Sequence, residues 1–109
     1  MQIEIIEYKG LKVMTLSGEI DMFSSPALRE ALISHIDKKV TPLLVDLKNV
    51  SYIDSSGIAT FVEGLKRMKP YGGVLKLIGL LEGVREIFQF AKLDRVFLIY
   101  GTIDDAIHR

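Results

Sequence analysis

The stretch LLVDLKNVSYIDSSGIATF, residues 43–61, changes its hydrophobic rhythm part-way along, and that change decides the fold. Leu43 to Leu47 form a short, nearly continuous apolar run, as expected of a strand covered on both faces. Lys48 to Asp54 reads as the connection out of it. Ile58, Phe61, Val62, Leu65 and Met68 then line one side of a helix, with Glu63, Lys66, Arg67 and Lys69 on the other. The positive residues fall near the helix C-terminus, where the helix dipole favours them. At the junction stand Asp54, Ser55, Ser56 and Gly57, so a strand hands over to a helix through two serines behind an aspartate.

Similar signals extend in both directions. Upstream, QIEIIEY and LKVMTL are apolar-rich runs separated by Lys9-Gly10, which reads as a hairpin with glycine at the turn. GEIDMFSS follows as a loop, with Ser25 a good N-cap and Pro26 a good first helical residue. Leu28, Ala31, Leu32 and Ile36 recur at i, i+3, i+4 and i+8, giving an apolar stripe on a helix to about Lys38. Downstream, Pro70 to Gly73 end the second helix and VLKLIGL is the next strand. Leu81, Val84, Ile87, Phe88 and Ala91 mark a third helix, VFLIY is the last strand, and TIDDAI begins a terminal helix with Thr102 as its cap. This alternation predicts an α/β domain with a mostly parallel sheet, right-handed crossovers and about four covering helices. The hairpin makes one strand antiparallel, and that strand is expected at an edge.

A chain of 109 residues, 49% of them hydrophobic, suits one domain spanning residues 1–109. That length buries roughly two thirds of the surface the unfolded chain exposes. Fourteen basic residues balance fourteen acidic ones, so the total carries no footprint for nucleic acid or an anionic membrane. With no cysteine there is neither a disulfide framework nor a thiolate metal site. MQIEIIEYKG has glutamates inside its apolar run and is not read as a signal peptide, and no run reaches the roughly 18 apolar residues of a membrane span. A cytoplasmic protein that meets other proteins or small ligands is expected.

In open α/β sheets, ligands gather beyond the carboxyl ends of the parallel strands. Two loops qualify: one holds Asp21, the other Asp54 to Gly57. If their strands run parallel, Asp21 and Ser55 share one edge. As structure, Asp and Ser at a helix start accept bonds from unpaired N–H groups, at about 1 kcal/mol per cap. A catalytic serine lacks support: there is no Gly-x-Ser-x-Gly elbow, His35 borders a buried stripe, and His108 is the penultimate residue. No catalytic residue, metal ligand or cofactor is therefore assigned. A phosphate on Ser55 fits better, because a helix N-terminus offers free N–H groups and a positive dipole end. Asp54 and Asp21 oppose it by like charge, making it a local, negative block to docking. Asp46 is a rival acceptor, but the first strand enters YKG and the last ends IYGT. The acidic pair and lysine that a phosphoaspartate site needs are missing, so Asp46 is read as structural. Met22 and Phe23, with Ile53 nearby, are either buried lids or an exposed contact patch, and Asp21 is expected to have no capping role once Ser25 starts the helix.

GEIDMFSSPALREAL, LLVDLKNVSYIDSSGIATF and EGVREIFQFAKLDRVFLIYGTIDDAI together resemble the STAS domain of bacterial anti-sigma factor antagonists, from about Leu11 to Ile107. The Asp-Ser-Ser-Gly motif is the most specific part. The resemblance implies a STAS fold and a non-enzymatic regulator. It implies that Ser55 is phosphorylated by an ATP-dependent anti-sigma factor serine kinase, that the unphosphorylated form binds this kinase and frees a sigma factor, and that a PP2C-type phosphatase reverses the mark. Asp21, Met22, Phe23, Asp54, Ser56 and Gly57 become the implied partner-binding set. The family often has Gly-Leu-Gly after the serines, whereas Gly57-Ile58-Ala59 stands here. The alternative within the family is an unphosphorylated adaptor of a transport ATPase or a stress-signalling scaffold, which predicts binding without any change at Ser55.

Overall fold

In the computed structural model, which describes residues 1–108, the chain runs through β1 (Gln2–Tyr8), β2 (Leu11–Ile20), α1 (Ser25–Asp37), β3 (Leu43–Ile53) and α2 (Ser55–Met68). β4 (Leu75–Ile78), α3 (Glu82–Phe90), β5 (Leu98–Tyr100) and α4 (Ile103–His108) complete it. The sheet order is β1-β2-β3-β4-β5, identical to chain order. β1 pairs antiparallel with β2 and lies at the edge, while the other pairs are parallel. The expected hairpin turn is present, with Lys9 as well as Gly10 in the left-handed region that a two-residue turn requires.

Successive right-handed crossovers that never reverse direction place their helices on one face. Accordingly Leu28, Leu32 and Ile36 of α1, Phe61 and Met68 of α2, and Val84 and Phe88 of α3 share one buried cluster with Met14, Leu16, Val45, Leu47 and Leu77 of the sheet. Burying each such large side chain contributes about 1.5–3 kcal/mol. Among the described residues the opposite face is covered by α4, with Ala106 packed on Val13, Leu44 and Ile78. Because the strand order never reverses, the sheet has no switch-point crevice.

Four expectations about element boundaries are corrected. Neither LLVDL nor LKVMTL stops where its apolar run does: β3 continues to Ile53, and β2 takes in Gly18, Glu19 and Ile20 from the stretch read as loop. These extensions pair with each other, Ser17 with Asn49 through Ile20 with Ile53, after one register shift between Thr15 and Ser17 and across a second between Gly18 and Glu19, which scramble the alternation. At the other end, β5 is only Leu98–Tyr100; Leu93–Arg95 forms a 3₁₀ turn and Val96 is exposed. Leu81 and Ala91 are not on the buried stripe of α3 but cap its two ends, both exposed. Thr102 caps α4 as expected, its Oγ1 accepting from the Asp105 amide at 3.1 Å.

Candidate functional site

Ile20 and Ile53 are register partners at the ends of β2 and β3, and the Asp54 amide donates to the Ile20 carbonyl at 3.0 Å. The two loops therefore leave the sheet side by side. Asp21 and Asp54, each the next residue along, are brought to one edge as the parallel arrangement requires.

Asp54 is the N-cap of α2. Its backbone is extended, and its Oδ1 accepts from the amides of Ser56 at 2.9 Å and Gly57 at 3.2 Å. The Ser56 hydroxyl also donates to Oδ1. That hydroxyl, followed by the amides of Gly57, Ser56 and Met22, holds the Asp54 carboxyl below its ordinary value, against desolvation acting the other way. Two of the helix N–H groups expected to be free for an anion are thus taken by Asp54. Ser55 is different from its neighbour: it is exposed, opens the helix, and its hydroxyl has no hydrogen-bond partner among the described residues.

Asp21 does not cap α1, as expected, but it closes the turn that precedes the helix. Its Oδ1 accepts from the Phe23 and Ser24 amides at 2.9 and 3.0 Å, and its carbonyl accepts from the Ser25 amide at 2.8 Å. Ser24, not Ser25, stands at the cap position of α1, but its hydroxyl faces backwards, accepting from the Asp21 amide and donating to the Glu19 carbonyl. This closed turn pushes Met22 and Phe23 outward, 67% and 86% exposed. They are exposed side chains and not buried lids, while Ile53 belongs to the core.

Gly57 also has a packing duty. It is buried, and a Cβ there would stand 2.6 Å from Ile20 Cγ2 and 2.7 Å from Ile53 Cγ1. Its part is to let α2 seat on the ends of β2 and β3. Ala59, the departure from the family's pattern, is exposed and displaces nothing. Tyr52, an exposed aromatic in register with Glu19, flanks this edge and was not singled out from the sequence, because β3 was read as ending before it. Asp46 is 3% exposed and its Oδ1 accepts from the Lys48 amide, which supports the structural reading. The His35 ring nitrogen Nδ1 lies 2.8 Å from the Ala31 carbonyl, far down α1. Among the described residues no cluster of His, Cys, Asp and Glu is arranged to hold a metal ion, and no helix is long and apolar enough to cross a membrane.

The model of the STAS domain family matches residues 2–106. The anti-sigma-B factor antagonist of Bacillus subtilis strain 168 is 40% identical over 94 residues, which are 86% of this chain and 85% of that protein. The chain belongs to the STAS-domain family of anti-sigma factor antagonists. Its members are regulatory binding domains, which accords with a serine that has no placed base. An anti-sigma factor antagonist from Mycobacterium paratuberculosis superposes with a TM-score of 0.89 at 26% identity, covering 98% of this chain and 91% of the other. The Bacillus cell fate determinant SpoIIAA in its phosphorylated form superposes with a TM-score of 0.75 at 23% identity, covering 99% and 98%. At that identity the second likeness speaks for the STAS fold.

Proposed function

We propose that this STAS domain is an anti-sigma factor antagonist switched by phosphorylation of Ser55. Unphosphorylated, it docks on an anti-sigma factor serine kinase in the cytoplasm through Asp21, Met22, Phe23, Asp54 and Ser56, and so frees a sigma factor. The kinase transfers the γ-phosphoryl group of ATP to Ser55 Oγ, releasing ADP, and a PP2C-type phosphatase hydrolyses the ester. The observation that carries this reading is the contrast between adjacent serines: Ser56 is tied to Asp54, and Ser55 presents a free hydroxyl at the exposed edge. Occupation of the Ser56 and Gly57 amides by Asp54 keeps a phosphate at the surface, where its roughly −1.5 to −2 charges face Asp54 and Asp21. It blocks docking without entering the fold.

The test is labelling with a cognate kinase and ATP. Ser55→Ala is expected to abolish a mass gain of about 80 Da, and Ser56→Ala to leave most of it. Labelling that persists in Ser55→Ala and disappears in Ser56→Ala would overturn the acceptor. Tight partner binding that Ser55→Asp leaves untouched would point instead to an unphosphorylated adaptor.

A further inference from the structure

The most exposed sulfur of the chain is that of Met22. There are four methionines and no cysteine. Met14 and Met68 are fully enclosed, Met1 is the first residue at 38% exposed, and Met22 is 67% exposed at the tip of the β2–α1 turn. The Asp21 turn fixes that tip outward, and the Met22 amide faces the Asp54 carboxylate across the edge. A soft oxidant reaching the folded chain therefore meets the Met22 thioether beside Ser55 and finds no thiol to compete.

We propose that Met22 is an oxidation site, and that its sulfoxide is a second, uncharged off-signal on the docking surface that Ser55 controls. The inference rests on the functional reading above for its consequence, though not for its chemistry. With hydrogen peroxide as oxidant, the thioether sulfur attacks one peroxide oxygen. The S–O bond forms, the O–O bond breaks, and the departing hydroxide takes a proton to become water. Sulfur loses two electrons to give the sulfoxide, and a dithiol acting through methionine sulfoxide reductases returns them, releasing water. The product is polar where the reduced side chain is apolar and adaptable. Phosphate acts on the charged half of the surface, and the sulfoxide acts on the apolar half.

The folded protein is treated with graded hydrogen peroxide, quenched with catalase, and read by peptide mass spectrometry and circular dichroism. Met22 is expected to gain an oxygen before Met14 and Met68 while the spectrum is unchanged. Oxidation of Met14 or Met68 as fast as Met22, or resistance of Met22, overturns the site. The quenched protein is then titrated with untreated anti-sigma factor kinase. The Kd is expected to rise roughly threefold or more and to recover after reductase treatment. Met22→Leu, in which the exposed Met1 is still open to oxidation, is expected to give one Kd before and after peroxide. A shift in that variant assigns the effect to Met1 and overturns the signal. A wild-type Kd unmoved by complete Met22 oxidation overturns the signal and leaves the proposed function standing. Failure of the untreated protein to bind any kinase-type anti-sigma factor removes both.

Discussion

Ser55 and Ser56 are chemically identical neighbours with different surroundings, and the difference comes from one carboxylate. Asp54 turns back to cap α2 and spends Oδ1 on Ser56 and Gly57, leaving Ser55 pointing outward. Gly57 makes that cap geometry reachable by lacking a Cβ. Gly57→Ala is expected to lower stability by about 1–3 kcal/mol through overpacking against Ile20 and Ile53. A thermal melt within about a degree of wild type would show that α2 can shift freely to admit the methyl. Asp21 combines two duties, closing a turn and presenting a charge, and two substitutions separate them. Asp21→Ala removes the acceptor for the Phe23 and Ser24 amides and is expected to cost about 1 kcal/mol of stability as well as partner affinity. Asp21→Asn keeps an acceptor oxygen, so it is expected to melt close to wild type and still bind several-fold more weakly. Equal binding by Asp21→Asn and wild type, measured by calorimetry, would reduce Asp21 to a turn residue.

Elements are held to each other by contacts that the local sequence does not announce. Glu63 of α2 accepts from Arg29 Nε and Nη2 of α1 at 2.7 and 2.8 Å and from Arg67 Nε at 2.9 Å. The Arg29 hydrogen bond, ahead of the Arg67 bond and both charges, lowers the Glu63 pKa from 4.5 to about 2 in spite of desolvation. A carboxyl depressed in the folded state stabilises fully above its unfolded value and loses that contribution as pH falls through the folded one. The melting-temperature advantage of wild type over Glu63→Gln is therefore expected to hold at neutral pH, shrink from about pH 4.5 downward and vanish near pH 2. High salt should compress it throughout, since the pair is exposed. An advantage that grew on acidification would contradict the clasp. The apolar stripes of α1 and α2, the hairpin and the cap at Thr102 were legible because each depends on residues within one turn of each other. The ends of β2 and β3 were not. Ser17 and Asn49, or Glu19 and Tyr52, become strand only by pairing with each other, and register shifts erase the period-two pattern that would have shown it. The same long-range pairing places Asp21 beside Asp54, which the chain order foretold, and leaves Tyr52 exposed at the edge, which it did not.

At the scale of the whole molecule, chain order and sheet order coincide, so three helices crowd one face and no crevice opens between strands. A switch at Ser55 on such a body is expected to act by what its surface presents. Ser55→Asp is accordingly expected to leave the circular-dichroism spectrum and melt unchanged while weakening partner binding at least tenfold, about 1.4 kcal/mol. Ser55→Ala should keep its affinity. The exposed phenylalanines give the complementary test of position. Phe23 is 86% exposed beside Asp21, whereas Phe90 is 94% exposed at the C-terminal end of α3. α3 runs back from the carboxyl edge of β4, so Phe90 lies at the opposite edge of the sheet. Neither side chain is packed, and truncating either one is expected to leave the melt within about 2 degrees of wild type. Phe23→Ala should nevertheless lower partner affinity by about 1 kcal/mol or more, as truncation of an aromatic contact does, and Phe90→Ala should leave it unmoved. Equal losses from both would mean that the partner grips the domain end to end. A loss from Phe90→Ala alone would move the docking surface away from Ser55, and a phosphate there would have nothing to block.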